Sequence, residues 1–339
     1  MKILIIGAAG MLGARLARRI AADGSLNGRS VGRLILADVV PPSVPGGWED
    51  RCETHVLDIG EPGAAEPFAK DRPDVVFHLA AIVSGEAEAD FEKGYRVNLD
   101  GTRALFDAIR EENARSGHVP RVVFASSIAV FGAPFPDSIP DDFALTPLTS
   151  YGTQKAIGEL LLADYTRRGF MDGIGLRLPT ICIRPGRPNK AASGFFSNIL
   201  REPLRGEPAV LPVSEDVRHF FASPAAAVEF FLHAAAIDGA SVGPRRNISL
   251  PGLSATVGDE IAALERVAGP EAGALIRREP DETIRGIVAG WAPDVAATRA
   301  RAFGFRADAS FDDIIRAHLA ETDPGGSGVP DGQRDAGQR

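Results

Sequence analysis

Apolar residues in the first half of the chain fall into short runs, separated by stretches in which they recur every three or four positions. That alternation predicts strands buried on both faces, joined by helices. Ile3 to Ile6, Leu34 to Ala37, Val75 to Leu79, Val122 to Ala125 and Ile174 to Leu178 are the runs, with a weaker one at Thr54 to Leu57. Leu12, Leu16 and Ile20 lie four residues apart, which buries one helical stripe and turns Arg15, Arg18 and Arg19 outward. From about Phe91 to Glu112, Val97, Ala104, Leu105, Ala108 and Ile109 share a helical face that Asn98 interrupts. A buried amide needs hydrogen-bond partners, so Asn98 either braces a neighbouring loop or holds a water. Another helix opens at Tyr151 and continues through Ile157, Leu160 and Leu161.

The segment between the first strand and the first helix changes the picture. Gly7, Gly10 and Gly13 give a tight turn free of Cβ atoms, and the helix starts at Met11, Leu12 and Gly13, its amino end pointing at whatever anion the turn admits. The second strand ends on Asp38, placed to accept ribose hydroxyls; a loop cap is the plainer alternative. Its charge would repel a 2′-phosphate, and Val39 and Val40 supply no compensating arginine, which favours NAD over NADP. Asp58 and Ile59 end the next strand, where a carboxylate meets an adenine amino group. Leu79 leads into Ala80 and Ala81, small enough for backbone to approach a ligand. His78, inside the apolar run, reads as a core histidine. Ser126 and Ser127 sit at the carboxyl end of their strand, where ligands bind in an open parallel sheet.

Tyr151 and Lys155 are one helical turn apart. A tyrosine acting as base near neutrality needs its pKa lowered by about 3 units, and a neighbouring ammonium and an oxidised nicotinamide would supply that.

With 339 residues, 45% of them apolar, the chain is long enough for about two domains. Its net charge of −8, without a basic run interleaved with aromatics, speaks against nucleic acid or an anionic membrane as partner. No apolar run is long enough to span a bilayer or to form a signal-peptide core, so the expected place is the cytoplasm and the expected partners are small molecules. Cys52 and Cys182 read as buried thiols. Cys52 and His55 have a metal-like spacing but lack further ligands, and no metal is expected.

In combination, Gly7-x-x-Gly10-x-x-Gly13, Asp58-Ile59, His78-Leu79-Ala80-Ala81, Asn98, Ser126 to Gly132 and Tyr151-x-x-x-Lys155 resemble the extended short-chain dehydrogenase/reductases. That family includes nucleotide-sugar epimerases and dehydratases. The resemblance implies an α/β fold, a Rossmann-type doubly wound parallel sheet with a smaller, interleaved α+β carboxyl-terminal substrate domain. Residues 1–178 would bind NAD, 179–323 mainly the substrate, and 324–339 form a disordered tail. The smaller domain would take helices near 194–201, 224–236, 256–268, 294–303 and 311–320, and short strands such as Asn247 to Leu250. The resemblance also makes Tyr151 the general acid/base and has Lys155 hold the ribose and lower the tyrosine pKa. Ser127, five positions before Gly132, would orient the reacting oxygen, with Pro179 and Ile181 against the nicotinamide.

Nucleotide-sugar members carry an acidic pair after an arginine, where this chain has Arg218-His219-Phe220-Phe221-Ala222-Ser223. The arginine is kept and the acids are missing. The loop from Arg184 to Gly194 holds three cations before a helix start, suited to a small carboxylate, although a solvated loop has the same composition. This region resembles family members acting on four-carbon sugar acids, which implies oxidation of a C2 hydroxyl by NAD, D-erythronate giving 2-dehydro-D-erythronate. Asn189, Lys190, Ser193 and Arg218, with Ser127, are the expected substrate contacts, and Lys190 or Arg218 the expected partner of the carboxylate. A nucleotide-sugar 4-epimerase or dehydratase holding NAD tightly is the alternative, and a non-enzymatic NAD-sensing protein a third. A homodimer is a possible assembly.

Overall fold

The computed structural model describes residues 1–186 and 193–322. Seven parallel strands make the main sheet: β1 (Lys2–Ile6), β2 (Arg33–Asp38), β3 (Cys52–Val56), β4 (Val75–His78), β5 (Arg121–Ser127), β6 (Asp172–Leu178) and β7 (Asn247–Ser249). Their spatial order is β3-β2-β1-β4-β5-β6-β7. The order reverses between β1 and β4, which opens a crevice at the carboxyl ends of the strands. Every candidate residue of the first half of the chain lies along that edge.

Burial on both faces explains the continuous apolar runs. Ile3 and Ile5 of β1 join Leu16, Ala17 and Ile20 of α1 (Met11–Asp23), whereas Leu4 and Ile6 face Phe106 and Ile109 of α2 (Gly101–Ser116) and Leu162 of α3 (Ser150–Arg167). Each such side chain contributes roughly 1.5–3 kcal/mol when fully buried. The helix expected over 91–112 is not uniform: a π-helical turn, Arg96–Asp100, separates Phe91–Tyr95 from α2. The wider turn carries Asn98 fully inside and leaves Ala104 only half-buried.

A second core surrounds Phe196, Ile199 and Leu200 of α4 (Gly194–Arg201), with Phe221, Ile261 and Leu264 of α6 (Val257–Ala268) and Ile315 of α7 (Phe311–Thr322). Its sheets are small. Thr180–Ile181 pairs in parallel with the end of Arg218–Ala222, and Leu253–Thr256 runs antiparallel on the other side. Two elements assigned in sequence to this smaller unit sit elsewhere. β7 closes the main sheet beside β6, and α5 (Pro224–Ala236), capped by the Ser223 side chain, packs Ala227, Val228, Phe230 and Phe231 into the core of α1 and β1. Three residues of strand are too few to reveal their sheet, and only the tertiary pairing assigns them. The expected tail, 324–339, lies outside the described residues.

Candidate active site

The turn after β1 is built for close approach. Gly7 has φ +90°, and a Cβ there would stand 2.6 Å from the Ala80 nitrogen, so the turn lies directly against the end of β4. Gly7 and Ala8 donate to the Ala37 carbonyl, at 2.8 and 3.1 Å, and Ala9 donates to Asp38 Oδ2 at 2.8 Å. Helix α1 begins at Gly10 with no side-chain cap and no acid in its first turn. The N–H groups of Met11, Leu12 and Gly13 therefore point outward without helical partners, as an anion requires. Asp38 Oδ1 accepts from Val40 at 3.3 Å, which fixes the carboxylate at the rim of the turn. Asp58 is more engaged: Oδ1 accepts from Gly60 and Oδ2 pairs with Arg96, both at 2.9 Å. Ile59 is buried beside it. Uncapped N–H groups, a Cβ-free cradle and an acid at the end of β2 fit a dinucleotide.

From this turn a continuous set of contacts leads to the tyrosine. Asn98 Oδ1 accepts from the Ile82 N–H at 2.7 Å, and Nδ2 donates to the Ile82 carbonyl at 2.9 Å and to Gln154 Oε1 at 2.7 Å. Gln154 lies between Tyr151 and Lys155 on α3. Asn98 is thus the brace between the loop after β4, where Leu79, Ala80 and Ala81 lie, and the helix bearing Tyr151 and Lys155. His78 Nε2 sits 2.8 Å from Thr102 Oγ1, and burial, with the nearby Lys155 charge, pushes its pKa down to about 3. It is a neutral core residue.

Close packing also brings the serine to the tyrosine. Gly152, the third residue of α3, has no Cβ, and one placed there would fall 2.1 Å from the Ala129 carbonyl oxygen. The helix start consequently rests on the turn Ile128–Val130 that follows Ser127. Ser127 Oγ accepts from Ala129 at 3.1 Å, and its side chain lies near enough to Tyr151 to favour the phenolate. Ser126 turns away and donates to Glu159 at 2.6 Å, which leaves Ser127 as the hydroxyl of the site.

Lys155 is buried, its Nζ 4.8 Å from the Phe124 ring centroid and 5.7 Å from that of Tyr151. Burial lowers its pKa to about 7, opposed by the charge of Glu159 one turn further along. Glu159 is held by Arg177, Nη2 to Oε2 at 2.7 Å, and Arg177 lies 5.1 Å over the Phe131 ring. The tyrosine shows a difference from expectation. Burial raises its pKa, and the groups that oppose this are the Ser127 hydroxyl and the charge of Arg184.

The substrate side departs further. Arg218 is exposed at the far end of its strand, paired with Thr256, and its charge acts on Asp259 at the start of α6. About 10 Å of strand separates it from the rung Phe221–Thr180. Asn189 and Lys190 lie outside the described residues. Ser193 is half-buried before α4 and makes no side-chain cap. Pro179 and Ile181 are buried at the end of β6.

Three residues not singled out in sequence stand here instead. Arg184 donates from Nε to the Ile181 carbonyl at 3.1 Å, while its own carbonyl accepts from Arg201 at 2.7 Å. Thr180 Oγ1 is 2.7 Å from Nε2 of His219, a histidine stacked on Phe196 and pushed by burial to about 3. The count of cations in the loop was the one signal for Arg184; nothing local marks Thr180 or His219. Both cysteines are buried, Cys52 pushed up to about 11, and among the described residues no group of His, Cys, Asp or Glu could hold a metal. A surface cavity of about 750 Å³, bordered by Arg15, Glu229, His233, Phe305 and Glu321, contains none of the catalytic candidates. No described helix is long and apolar enough to cross a membrane.

Comparison with known proteins gives a consistent setting. The model of the NAD dependent epimerase/dehydratase family matches residues 3–238. D-erythronate dehydrogenase of Cupriavidus necator is 48% identical over 95% of this chain and 98% of its own length, and that of Haemophilus influenzae 43% identical over 94% and 99%. A crystal structure described as a nucleoside-diphosphate-sugar epimerase from Agrobacterium tumefaciens superposes with a TM-score of 0.94 at 62% identity, covering 96% of this chain and 95% of that one.

Proposed function

The chain belongs to the NAD dependent epimerase/dehydratase family, and on that premise we propose that it oxidises the C2 hydroxyl of D-erythronate to 2-dehydro-D-erythronate with NAD. One observation carries the chemistry: the helix start that bears Tyr151 rests on the turn after Ser127 and is tied to the glycine turn through Ala80, Ile82, Asn98 and Gln154. The substrate follows from the two relatives of that activity, alike over nearly the whole length.

Met11, Leu12 and Gly13 would hold the pyrophosphate, Asp38 the adenosine ribose, and Asp58 and Ile59 the adenine edge. Lys155 would hold the nicotinamide ribose, with Pro179 and Ile181 beside the ring. When bound, NAD supplies the acceptor for the C2 hydride. Tyr151 takes the proton of the C2 hydroxyl, and Ser127 fixes that oxygen so that the carbonyl forms where the proton leaves. Burial works against the phenolate, so Tyr151 depends on the Ser127 hydroxyl and on positive charge nearby. The buried acid Glu159 favours the charged form of Lys155, and Arg177 offsets the acid in turn. A cytoplasmic homodimer acting on a soluble sugar acid completes the reading.

The Agrobacterium tumefaciens structure favours a second reading, in which hydride returns to a nucleotide sugar within one turnover. Absorbance of reduced cofactor separates the two. Purified protein with NAD and D-erythronate should accumulate NADH in proportion to acid consumed. No accumulation with D-erythronate, together with interconversion of a nucleotide sugar, would reject the dehydrogenase.

A further inference from the structure

Among the described residues, the buried arginines Arg177, Arg201 and Arg246 and the half-buried Arg121 have carboxylate partners. Arg177 pairs with Glu159 and Arg201 with Glu202, each at 2.7 Å, while Arg121 and Arg246 share Asp172. Arg184 is half-buried, and among the described residues no carboxylate lies within salt-bridge distance of it. Its Nε is committed to the Ile181 carbonyl, and its two terminal nitrogens bond no described residue. A half-buried guanidinium attracts an anion more strongly than one in open water, and its planar fork matches a carboxylate through two parallel hydrogen bonds.

Position supplies the second half of the argument. Arg184 is anchored by its backbone N–H to Ser197 Oγ at 3.0 Å and by its carbonyl to Arg201. Its side chain returns over Ile181, the residue after the Thr180 hydroxyl held by His219. The charge reaches Tyr151 and His219. In a 2-hydroxy acid the carboxylate carbon is bonded directly to C2, so its oxygens lie within about 3 Å of the hydroxyl oxygen. Whatever cation receives the carboxylate must therefore stand beside the base that takes the hydroxyl proton. The charge of Arg184 acts on Tyr151, whereas that of Arg218 acts on Asp259.

We infer that Arg184 is the substrate-binding residue that receives the C1 carboxylate, selecting 2-hydroxy acids over neutral alcohols of the same shape. The inference rests on the oxidation proposed above. It also explains how one cation serves two ends, fixing the acid and favouring the phenolate beside it.

The test compares D-erythronate with its neutral amide, D-erythronamide, which keeps the same C2 hydroxyl. Parent, Arg184→Met and Arg184→Lys are assayed for kcat/KM on both, with NAD affinity followed by fluorescence titration. The expected result is a fall of about a hundredfold in the acid-to-amide preference of Arg184→Met, with partial recovery in Arg184→Lys, which keeps the charge and loses the fork. Equal loss on acid and amide would mean that Arg184 acts only through Tyr151 or the fold, and would overturn the assignment, as would an unchanged preference. If the parent forms no NADH from D-erythronate, the substrate proposal falls by itself. Arg184 is then judged by thermal shift of the NAD complex with three- and four-carbon 2-hydroxy acids. The parent should be stabilised and Arg184→Met not; identical shifts in both would reject the role.

Discussion

Replacing Gly152 by alanine tests whether the contact between α3 and the serine turn sets the chemistry. The new Cβ would stand 2.1 Å from the Ala129 oxygen and 3.0 Å from the Ala129 carbonyl carbon and Pro147 Cβ. Reaching ordinary contact at 3.4 Å requires a retreat of about 1.3 Å by the turn or the helix start. The Ala129 N–H is the one bonded to Ser127 Oγ, so a shifted turn takes the serine with it, and a shifted helix takes Tyr151. Stability falls on balance, by about 2 kcal/mol. Alanine gains up to about 1 kcal/mol of helix propensity over glycine, and overpacking costs about 1–3 kcal/mol. A misplacement near 1 Å lowers turnover by about a hundredfold. The assay is kcat for NADH formation at saturating NAD and D-erythronate, alongside Tm and NAD affinity. A Gly152→Ala protein within about threefold of parental kcat would show that the Ser127–Tyr151 spacing is not held by this contact.

Tyr151→Phe should reduce kcat by about 10²–10⁴-fold while NAD still binds, as equilibrium titration would show. Asp38→Ala should narrow the preference for NAD over NADP by at least about tenfold in kcat/KM, because the charge that opposes a 2′-phosphate is gone. Arg177→Met leaves Glu159 charged and unpaired, and urea unfolding should show a loss of about 3–5 kcal/mol, largely recovered when Glu159→Leu is added. Burial holds Lys155 at about 7 against 10.5 in the unfolded chain, so between those values the unfolded chain binds the extra proton and stability rises with pH. Lys155→Met removes that slope; its stability advantage over the parent, in the absence of cofactor, should shrink from pH 7 to pH 9.

What the chain discloses by itself follows the range of the interactions involved. The glycine turn, Asp38 and the Tyr151–Lys155 pair are local patterns, and the structure places them on one edge. The family resemblance, which sets the serine five positions before Gly132, favours Ser127 over Ser126, and the Ser126 hydroxyl donates to Glu159. Asn98 was visible as an anomaly in a helical stripe, but the π-helical turn that turns it inward leaves no mark in residue spacing. β7 was misplaced because three residues carry no pairing partner in their own sequence. The choice between Arg184 and Arg218 is of the same kind. Both are arginines near apolar strands, and only the parallel rungs Phe221–Thr180 and Ala222–Ile181 show which end of the strand meets the site.

Those two rungs also divide the labour of the molecule. The groups proposed to move the proton ride on the main sheet and α3, whereas Arg184, Thr180 and His219 belong to segments leaving that sheet. A lineage can therefore redraft the stretch from 180 to 222, and with it the menu of molecules admitted, while the redox engine stays as inherited. Relatives with different appetites and one shared chemistry are the natural outcome of that partition.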